Sequence, residues 1–235
     1  SGQPIHATKG TEMADSLHEL APDCFHLVRP LYAGITDHRP IVFSTIEELA
    51  PGRVWVDHPT HPSAALVLGS GGDLFLSGAS DNAAYNQAIR GLILSDLIPL
   101  IGEHVLAYSF SPEWKTTLDE LFREQGVMRV GRCVFALDQA RFQQQQAGWR
   151  ARIPTGFRLQ QVDRQLAGQI SGIEQLWGSV DNFLSNGFAY AITQGGRVIS
   201  RACTVFRGDN WVEIGIETDE APRRRGLATL AACAF

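Results

Sequence analysis

The sequence has little lysine and no paired cysteines. Only Lys9 and Lys115 are lysines, and the four cysteines lie far apart with no CxxC spacing. Such cysteines favour reduced thiols and indicate neither a disulfide framework nor a structural zinc site. No apolar run reaches the roughly 18 residues that a membrane-spanning helix needs. The N-terminus lacks the apolar core of a signal peptide. We therefore expect a cytoplasmic protein without a metal and without a membrane partner.

The charge of the chain also limits its partners. The formal net charge is -5, whereas a general nucleic-acid binder presents a basic surface to the phosphates. We therefore expect no nucleic-acid partner. The positive charge is carried mostly by arginine, which suits bidentate recognition of phosphate or carboxylate, although a GC-rich genome would give the same bias.

The order of predicted elements indicates an α/β (α+β) protein with two domains. The polar stretch 143–148 is typical of a linker or of the exposed end of a helix, and we place a boundary near residue 150. Residues 1–150 are predicted to form an N-terminal α/β domain, and residues 151–235 a second domain. In the first, we predict helices at 13–20, 82–97 and 114–125 and strands at 41–44, 53–57, 64–69, 73–77, 105–110 and 131–137. In the second, we predict strands at 156–162, 188–194, 197–206 and 210–218, mainly helix at 164–177 and a helix from about Arg223.

A cluster of arginines stands where the last strand gives way to the last helix. Arg223, Arg224 and Arg225 precede Gly226 and an alanine-rich helix. Each cation near a helix N-terminus opposes the macrodipole, at about 0.3–1 kcal/mol. The amides of the first turn also need acceptors. One bound anion relieves both problems, which predicts a phosphate-bearing ligand.

Another interpretation of the cluster remains open. The arginines could pair in solvent with Asp219 and Glu220 of the preceding loop. The segment is not a nucleotide P-loop, because the GxxxxGK(S/T) spacing and its lysine are both missing.

The spacing Arg223-x-x-Gly226-x-Ala228 resembles the acetyl-CoA signature of the GNAT acetyltransferases, (Q/R)-x-x-G-x-(G/A). The strings EIGIETDEAPRRRGLATLAACAF and RVWVDHPTHPSAALVLGSGGDLFLSG resemble a bacterial branch of that family with an additional N-terminal domain. The resemblance implies a mixed, mainly antiparallel sheet flanked by helices. It implies direct transfer of an acetyl group from acetyl-CoA to a small-molecule amine. Backbone groups would hold the pantetheine arm at Ile216, Glu217 and Thr218, and the pyrophosphate at Arg223, Arg224, Arg225, Gly226, Leu227, Ala228 and Thr229.

Two glutamates are candidates for the general base that such a transfer uses. Glu213 is the first choice, since the resemblance places it near the base of several family members, and Glu217 is the second. Both lie on one face of a predicted strand, opposite an apolar face of Val212, Ile214 and Ile216 that we expect to be buried. The alternative is an exposed acidic face without a catalytic role.

Other residues that could carry chemistry have a structural interpretation. The HxxH spacing of His58 and His61 could bind a metal, but its prolines exclude a helix and favour a surface loop. Direct transfer needs no nucleophilic cysteine, so Cys203 and Cys233 are interpreted as buried structural thiols. Three aromatic residues could line a substrate pocket but are more typical of a core: Trp177, Phe183 and Trp211.

The resemblance also implies a further strand, helix and hairpin beyond the last predicted helix. That portion commonly supplies a tyrosine that protonates the leaving thiolate. Because the sequence ends at Phe235, we expect an exposed strand edge with an apolar surface, and either a homo-oligomer or impaired activity. The leading hypothesis is an acetyl-CoA-dependent N-acetyltransferase. The alternatives are a CoA-binding or sensor module without catalysis, and a structural protein that does not bind CoA.

Overall fold

The computed structural model describes residues 16–102, 105–131, 133, 135, 137–145 and 147–235. These residues form two compact units, each built from several segments. The first draws on the described residues within 1–33, 53–67 and 72–127, and the second on those within 34–52, 68–71 and 128–235. The boundary near residue 150 stays a prediction about domains that fold independently. No helix among the described residues is long and apolar enough to cross a bilayer.

Strands and helices alternate along the described chain. The strands are β1 His18–Glu19, β2 Gly52–Val56, β3 Ala64–Gly69, β4 Leu74–Gly78, β5 Ala107–Ser109, β6 Arg158–Gln161, β7 Ala189–Gln194, β8 Arg197–Gly208 and β9 Trp211–Thr218. The α-helices are α1 Arg39–Ile46, α2 Ala83–Leu92, α3 Ile98–Ile101, α4 Pro112–Leu121, α5 Gln139–Gln145, α6 Arg164–Ala167, α7 Ile173–Trp177, α8 Val180–Asn186 and α9 Leu227–Ala234. Two 3-10 segments, Pro22–Tyr32 and Trp149–Arg152, and a π-helical turn, Ile93–Leu97, complete the set.

The first unit is organised around a sheet in the order β1-β2-β3-β4-β5. β1 runs antiparallel to β2, and β4 runs parallel to β5. Every residue of β3 is buried, as expected for a continuous apolar run with both faces covered. The strands predicted at 53–57, 64–69 and 73–77 are confirmed. The predicted helix at 82–97 is also confirmed, and it begins after Asn82, whose side chain accepts from the amide of Tyr85.

Asp57 closes the loop between β2 and β3. Its carboxylate accepts hydrogen bonds from the amides of Ser63 (2.9 Å) and Ala64 (3.0 Å) and from the Ser63 hydroxyl. Partial burial acts to raise the pKa of Asp57, but these hydrogen bonds favour the charged form and leave that pKa below its ordinary value of 3.8. His58 and His61 are exposed in the same loop, with their rings stacked 5.8 Å apart. The predicted surface loop is therefore confirmed.

The second unit contains an antiparallel sheet in the order β6-β7-β8-β9. Gly195 and Gly196 join β7 to β8, and Asp209 and Asn210 join β8 to β9. All four have positive φ, from 50° to 81°, the geometry that matches the right-handed twist of two antiparallel strands. The predicted mixed α/β fold is confirmed, as are the strands predicted at 188–194, 197–206 and 210–218.

A β-bulge interrupts the pairing of β8 with β9. Gly208 lies opposite Trp211 at the turn, but the register shifts between Thr204 and Phe206. Without this extra residue in β8, Arg201 would lie opposite Thr218; with it, Arg201 lies opposite Glu217.

The strand predicted at 41–44 is wrong, because these residues belong to α1. Its residues from Ile41 to Ile46 are all buried, and α1 packs on β8 and β9. A short apolar run covered on all sides has no periodicity that separates helix from strand. Arg39 anchors the helix, since its Nε donates to Asp209 Oδ2 at 2.7 Å. Gly208 fits closely beneath it, because a Cβ there would lie 2.6 Å from the Phe43 Cβ.

Four other element predictions need correction. The helix predicted at 13–20 is wrong at His18 and Glu19, which pair with β2, while residues 13–15 lie outside the described chain. For the strand predicted at 131–137, residues 131, 133, 135 and 137 are not in a strand, and the rest lie outside the described residues. The helix at 164–177 is two short helices, because Gly172 has a left-handed φ of 86° before α7. The last helix begins at Leu227 rather than near Arg223, after the left-handed Gly226.

Candidate functional site

A cleft of about 460 Å³ lies in the second unit, between the end of β9 and the start of α9. It brings together every residue that we predicted to contact the coenzyme except Arg225 and Thr229. The lining also includes Pro222, which the sequence analysis missed although it directly precedes the arginine cluster. The lining residues are Ile216, Glu217, Thr218, Pro222, Arg223, Arg224, Gly226, Leu227 and Ala228.

One wall of the cleft is the edge strand β9. Within the described chain, β8 is its only sheet neighbour, so the backbone groups on its outer edge point away from the sheet. The Ser200 hydroxyl fixes the end of the strand, with an oxygen–oxygen distance of 2.7 Å to the Thr218 hydroxyl and a 3.1 Å hydrogen bond to the Glu217 carbonyl. A ligand that contains amide groups can pair with such an edge as an added strand.

The apolar face of β9 is more exposed than we predicted. The exposed fractions are 40% for Val212, 41% for Ile214 and 48% for Ile216, so the prediction of a buried face is wrong. The reason is that α9 packs its Leu227 and Leu230 over the inner part of the sheet. The homo-oligomer that we expected to cover an apolar edge stays a prediction, which sedimentation would test.

The opposite wall is the start of α9. Gly226 precedes it with a φ of 74° and has no side chain that could cap the helix. The first bond within the helix runs from the amide of Leu230 to the carbonyl of Gly226 (3.1 Å). The amides of residues 227–229 therefore have no acceptor within the helix. Together with the helix dipole they form a cradle for an anion.

Pairing of the arginine cluster with the preceding loop is confirmed for Arg223. Its Nη1 lies 3.7 Å from Glu220 Oε1, and its Nε donates to the Thr218 carbonyl at 3.3 Å. Asp219 instead pairs at 2.7 Å with Arg197. The role of Arg197 could not be foreseen, because it depends on how β8 and β9 align.

Arg224 and Arg225 differ from their neighbour. Across the part of the chain that the structure describes, no carboxylate pairs with either of them, and both are exposed. Arg224 lines the cleft, whereas Arg225 does not. The cleft therefore combines unpaired amides with a positive charge that no carboxylate neutralises, which is the arrangement that binds phosphate groups.

The two candidate bases lie in different surroundings. Glu217 forms an ion pair with Arg201, whose side chain is 16% exposed compared with 61% for Glu217. Glu213 is half-buried and lies opposite Phe206, beside the bulge. Bulges redirect the side chains next to them. Glu217 is thus committed to a wall of the cleft, while Glu213 lies further along the same strand.

We predicted that three aromatic residues and two cysteines near the sheet are buried, and the structure agrees only in part. Trp177 and Phe183 belong to the core, as predicted. Trp211 is 61% exposed, so its assignment to the core is wrong; it follows the turn on the edge strand. Cys203 and Cys233 are half-buried rather than buried. Burial raises the pKa of Cys203, an effect that the nearby guanidinium of β8 only partly opposes.

A second cleft, of about 450 Å³, lies in the first unit between α2 and α4. Its lining carries charges of both signs, including Asp81, Glu124 and Arg123. Arg90 also lines it, but its Nε is engaged by the Leu121 carbonyl at 2.8 Å. None of the catalytic or coenzyme-binding residues that we predicted lies in this cleft. Its mixed charges point to no particular ligand.

Comparisons with known proteins agree with one another. A family model described as GNAT acetyltransferase matches residues 29–235. The chain is 25% identical over 199 residues to the uncharacterized N-acetyltransferase YdfB of Bacillus subtilis (strain 168), covering 83% of this chain and 73% of that protein. A GCN5-related N-acetyltransferase-like protein from Streptococcus suis 89/1591 has a similar fold, with a TM-score of 0.62 at 20% identity, over 90% of this chain and 82% of that one.

Proposed function

The chain belongs to the GNAT acetyltransferase family and is an acyltransferase, and from this premise we propose that it transfers an acetyl group from acetyl-CoA directly to a small-molecule amine. The observation that carries the proposal is the cleft of the second unit. It joins an open strand edge to an anion cradle, and acetyl-CoA is a ligand with an amide-containing arm and a pyrophosphate.

The proposed position of acetyl-CoA follows from the two walls. The amides of residues 227–229 would hold the pyrophosphate, and the backbone of residues 216–218 would pair with the amides of the pantetheine arm. The arm would then run along β9 away from α9. Glu213 lies five residues before Thr218, or about 17 Å along a strand that rises about 3.3 Å per residue. The thioester end of the arm would therefore point towards Glu213.

In the proposed reaction, the Glu213 carboxylate accepts a proton from the ammonium form of the acceptor, directly or through a water. The nitrogen lone pair attacks the thioester carbonyl carbon, and a C–N bond forms. The C–S bond then breaks and CoA leaves as a thiolate, which takes up, directly or through a water, the second proton that the nitrogen loses as the amide forms. Glu217 keeps its ion pair with Arg201 and shapes the wall of the cleft. An acidic side chain at the reacting end favours a cationic amine as the acceptor.

The test is acetyl-CoA consumption with a panel of amines, for the wild type and for Glu213→Gln. We expect Glu213→Gln to lower kcat by about 10²–10⁴-fold, with little change in the Kd of acetyl-CoA. The loss should shrink as the pH rises, because more of the amine is then already deprotonated. Glu217→Gln is the matched control and should lose less.

Three results would contradict parts of the proposal. Unchanged turnover in Glu213→Gln would remove Glu213 as the base. Binding of acetyl-CoA without turnover of any amine would favour a binding module. A wild type that fails to bind millimolar acetyl-CoA would exclude the proposed cosubstrate altogether.

A further inference from the structure

The three consecutive arginines before α9 have three different surroundings. Arg223 is engaged by Glu220 and by the Thr218 carbonyl. Arg225 is exposed and lies outside the cleft lining. Arg224 alone of the three both lines the cleft and, among the described residues, pairs with no carboxylate. Its positive charge is therefore the one that the cluster offers to a ligand.

The amide cradle and Arg224 suit two different kinds of anion. A pyrophosphate shared between two esters has oxygens that backbone amides and a helix dipole can satisfy. A phosphate monoester carries about 1.5 to 2 negative charges near neutral pH and is matched by the planar, bidentate guanidinium of arginine. Acetyl-CoA contains one group of each kind, the pyrophosphate and the ribose 3′-phosphate.

We infer that Arg224 binds the ribose 3′-phosphate and thereby makes the enzyme prefer CoA over 3′-dephospho-CoA. This inference rests on the proposed function, because it assumes that the amides of residues 227–229 hold the pyrophosphate. Arg223 keeps its contacts with the loop and with β9, so it orders the segment between them. Arg224 is the specificity-determining residue.

The backbone at Arg224 provides an informative variant. Its φ is 66°, in the left-handed region that glycine adopts most easily. Arg224→Gly therefore removes the side chain while favouring the same backbone path. Arg224→Gln removes the charge and keeps much of the side-chain length. Agreement between the two variants separates the loss of the guanidinium from a change in loop conformation.

The experiment measures the Kd of CoA and of 3′-dephospho-CoA by calorimetry. We expect the wild type to bind CoA at least about tenfold more tightly, as a charge-assisted contact to phosphate allows. In Arg224→Gln and Arg224→Gly, the Kd of CoA should rise to nearly that of 3′-dephospho-CoA, whose own Kd stays unchanged. Arg225→Gln removes a neighbouring charge outside the cleft, and it should keep the preference.

Each contrary outcome has a separate meaning. Equal binding of both ligands by the wild type would overturn the inference. Variants that weaken both ligands by the same factor would also overturn it, because Arg224 would then serve the pyrophosphate. A wild type that binds neither ligand would remove the proposed function and this inference together.

Discussion

The left-handed backbone of Gly226 gives the sharpest test of the anion cradle. A Cβ at this position would meet no atom within 4 Å, and the φ of 74° is the only obstacle to a side chain. Gly226→Ala therefore perturbs the backbone without a steric clash. Holding alanine in the left-handed region costs roughly 1–2 kcal/mol.

That cost must show either in stability or in binding. If the loop keeps its path in Gly226→Ala, the free energy of unfolding falls by about 1–2 kcal/mol. If the loop relaxes in the free protein, the ligand must restore the path, and the Kd of CoA rises about 5–30-fold. In either case the two losses should sum to about 1–2 kcal/mol. Calorimetric titration and urea unfolding of the same variant give both quantities.

Gly172→Ala is the matched control. Gly172 has a φ of 86° and also has nothing within 4 Å of a Cβ, but it precedes α7 and does not line the cleft. Its replacement should lower stability and leave the Kd of CoA unchanged. The reasoning would be refuted if Gly226→Ala matched the wild type in both measurements, or if Gly172→Ala weakened CoA binding as strongly.

Three further predictions concern packing and titration. Gly208→Ala should lower the free energy of unfolding by about 1–3 kcal/mol, because it overpacks the contact beneath α1. Gly168→Ala should not, since a Cβ at Gly168 would lie 3.7 Å from its nearest neighbours. Equal urea midpoints for the two variants would contradict the close contact at Gly208. Asp57→Asn should lower the free energy of unfolding at neutral pH, because the lowered pKa of Asp57 stabilises the fold only while the carboxylate is charged. The difference in that free energy between variant and wild type should vanish as the pH falls below 3.8. A difference that persisted at pH 2 would count against this. At pH 7, Cys203 should react with a thiol reagent more slowly than the exposed Cys133, since burial raises the pKa of Cys203. Mass spectrometry of the early products measures the order of labelling, and labelling of Cys203 before Cys133 would contradict the prediction.

Local signals made most of the sheet in the second unit predictable. Alternating residues and two-residue turns, such as Gly195–Gly196, act over a few positions and need no knowledge of the rest of the chain. The segment that forms α1 could not be predicted in this way. Its conformation depends on burial against β8 and β9, which are distant in the sequence.

The candidate site shows the same division. Its lining comes entirely from a stretch of 13 positions, 216–228, so spacing along the sequence was enough to propose it. The ion pair between Arg201 and Glu217 depends instead on the bulge in β8. A single extra residue shifts the register, and nothing in the local pattern reveals it.

The packing of α1 on β8 has a consequence for the synthesis of the protein. Arg39 and its partner Asp209 are 170 residues apart, and a ribosome adding about 5–20 residues per second needs roughly 10–30 s to span that interval. During this time the apolar segment from Ile41 to Ile46 has left the ribosome, but the strands that cover it do not yet exist. The nascent chain thus carries an early hydrophobic segment that chaperones can hold, and the sheet bearing the cleft is completed only after β8 and β9 have been synthesised.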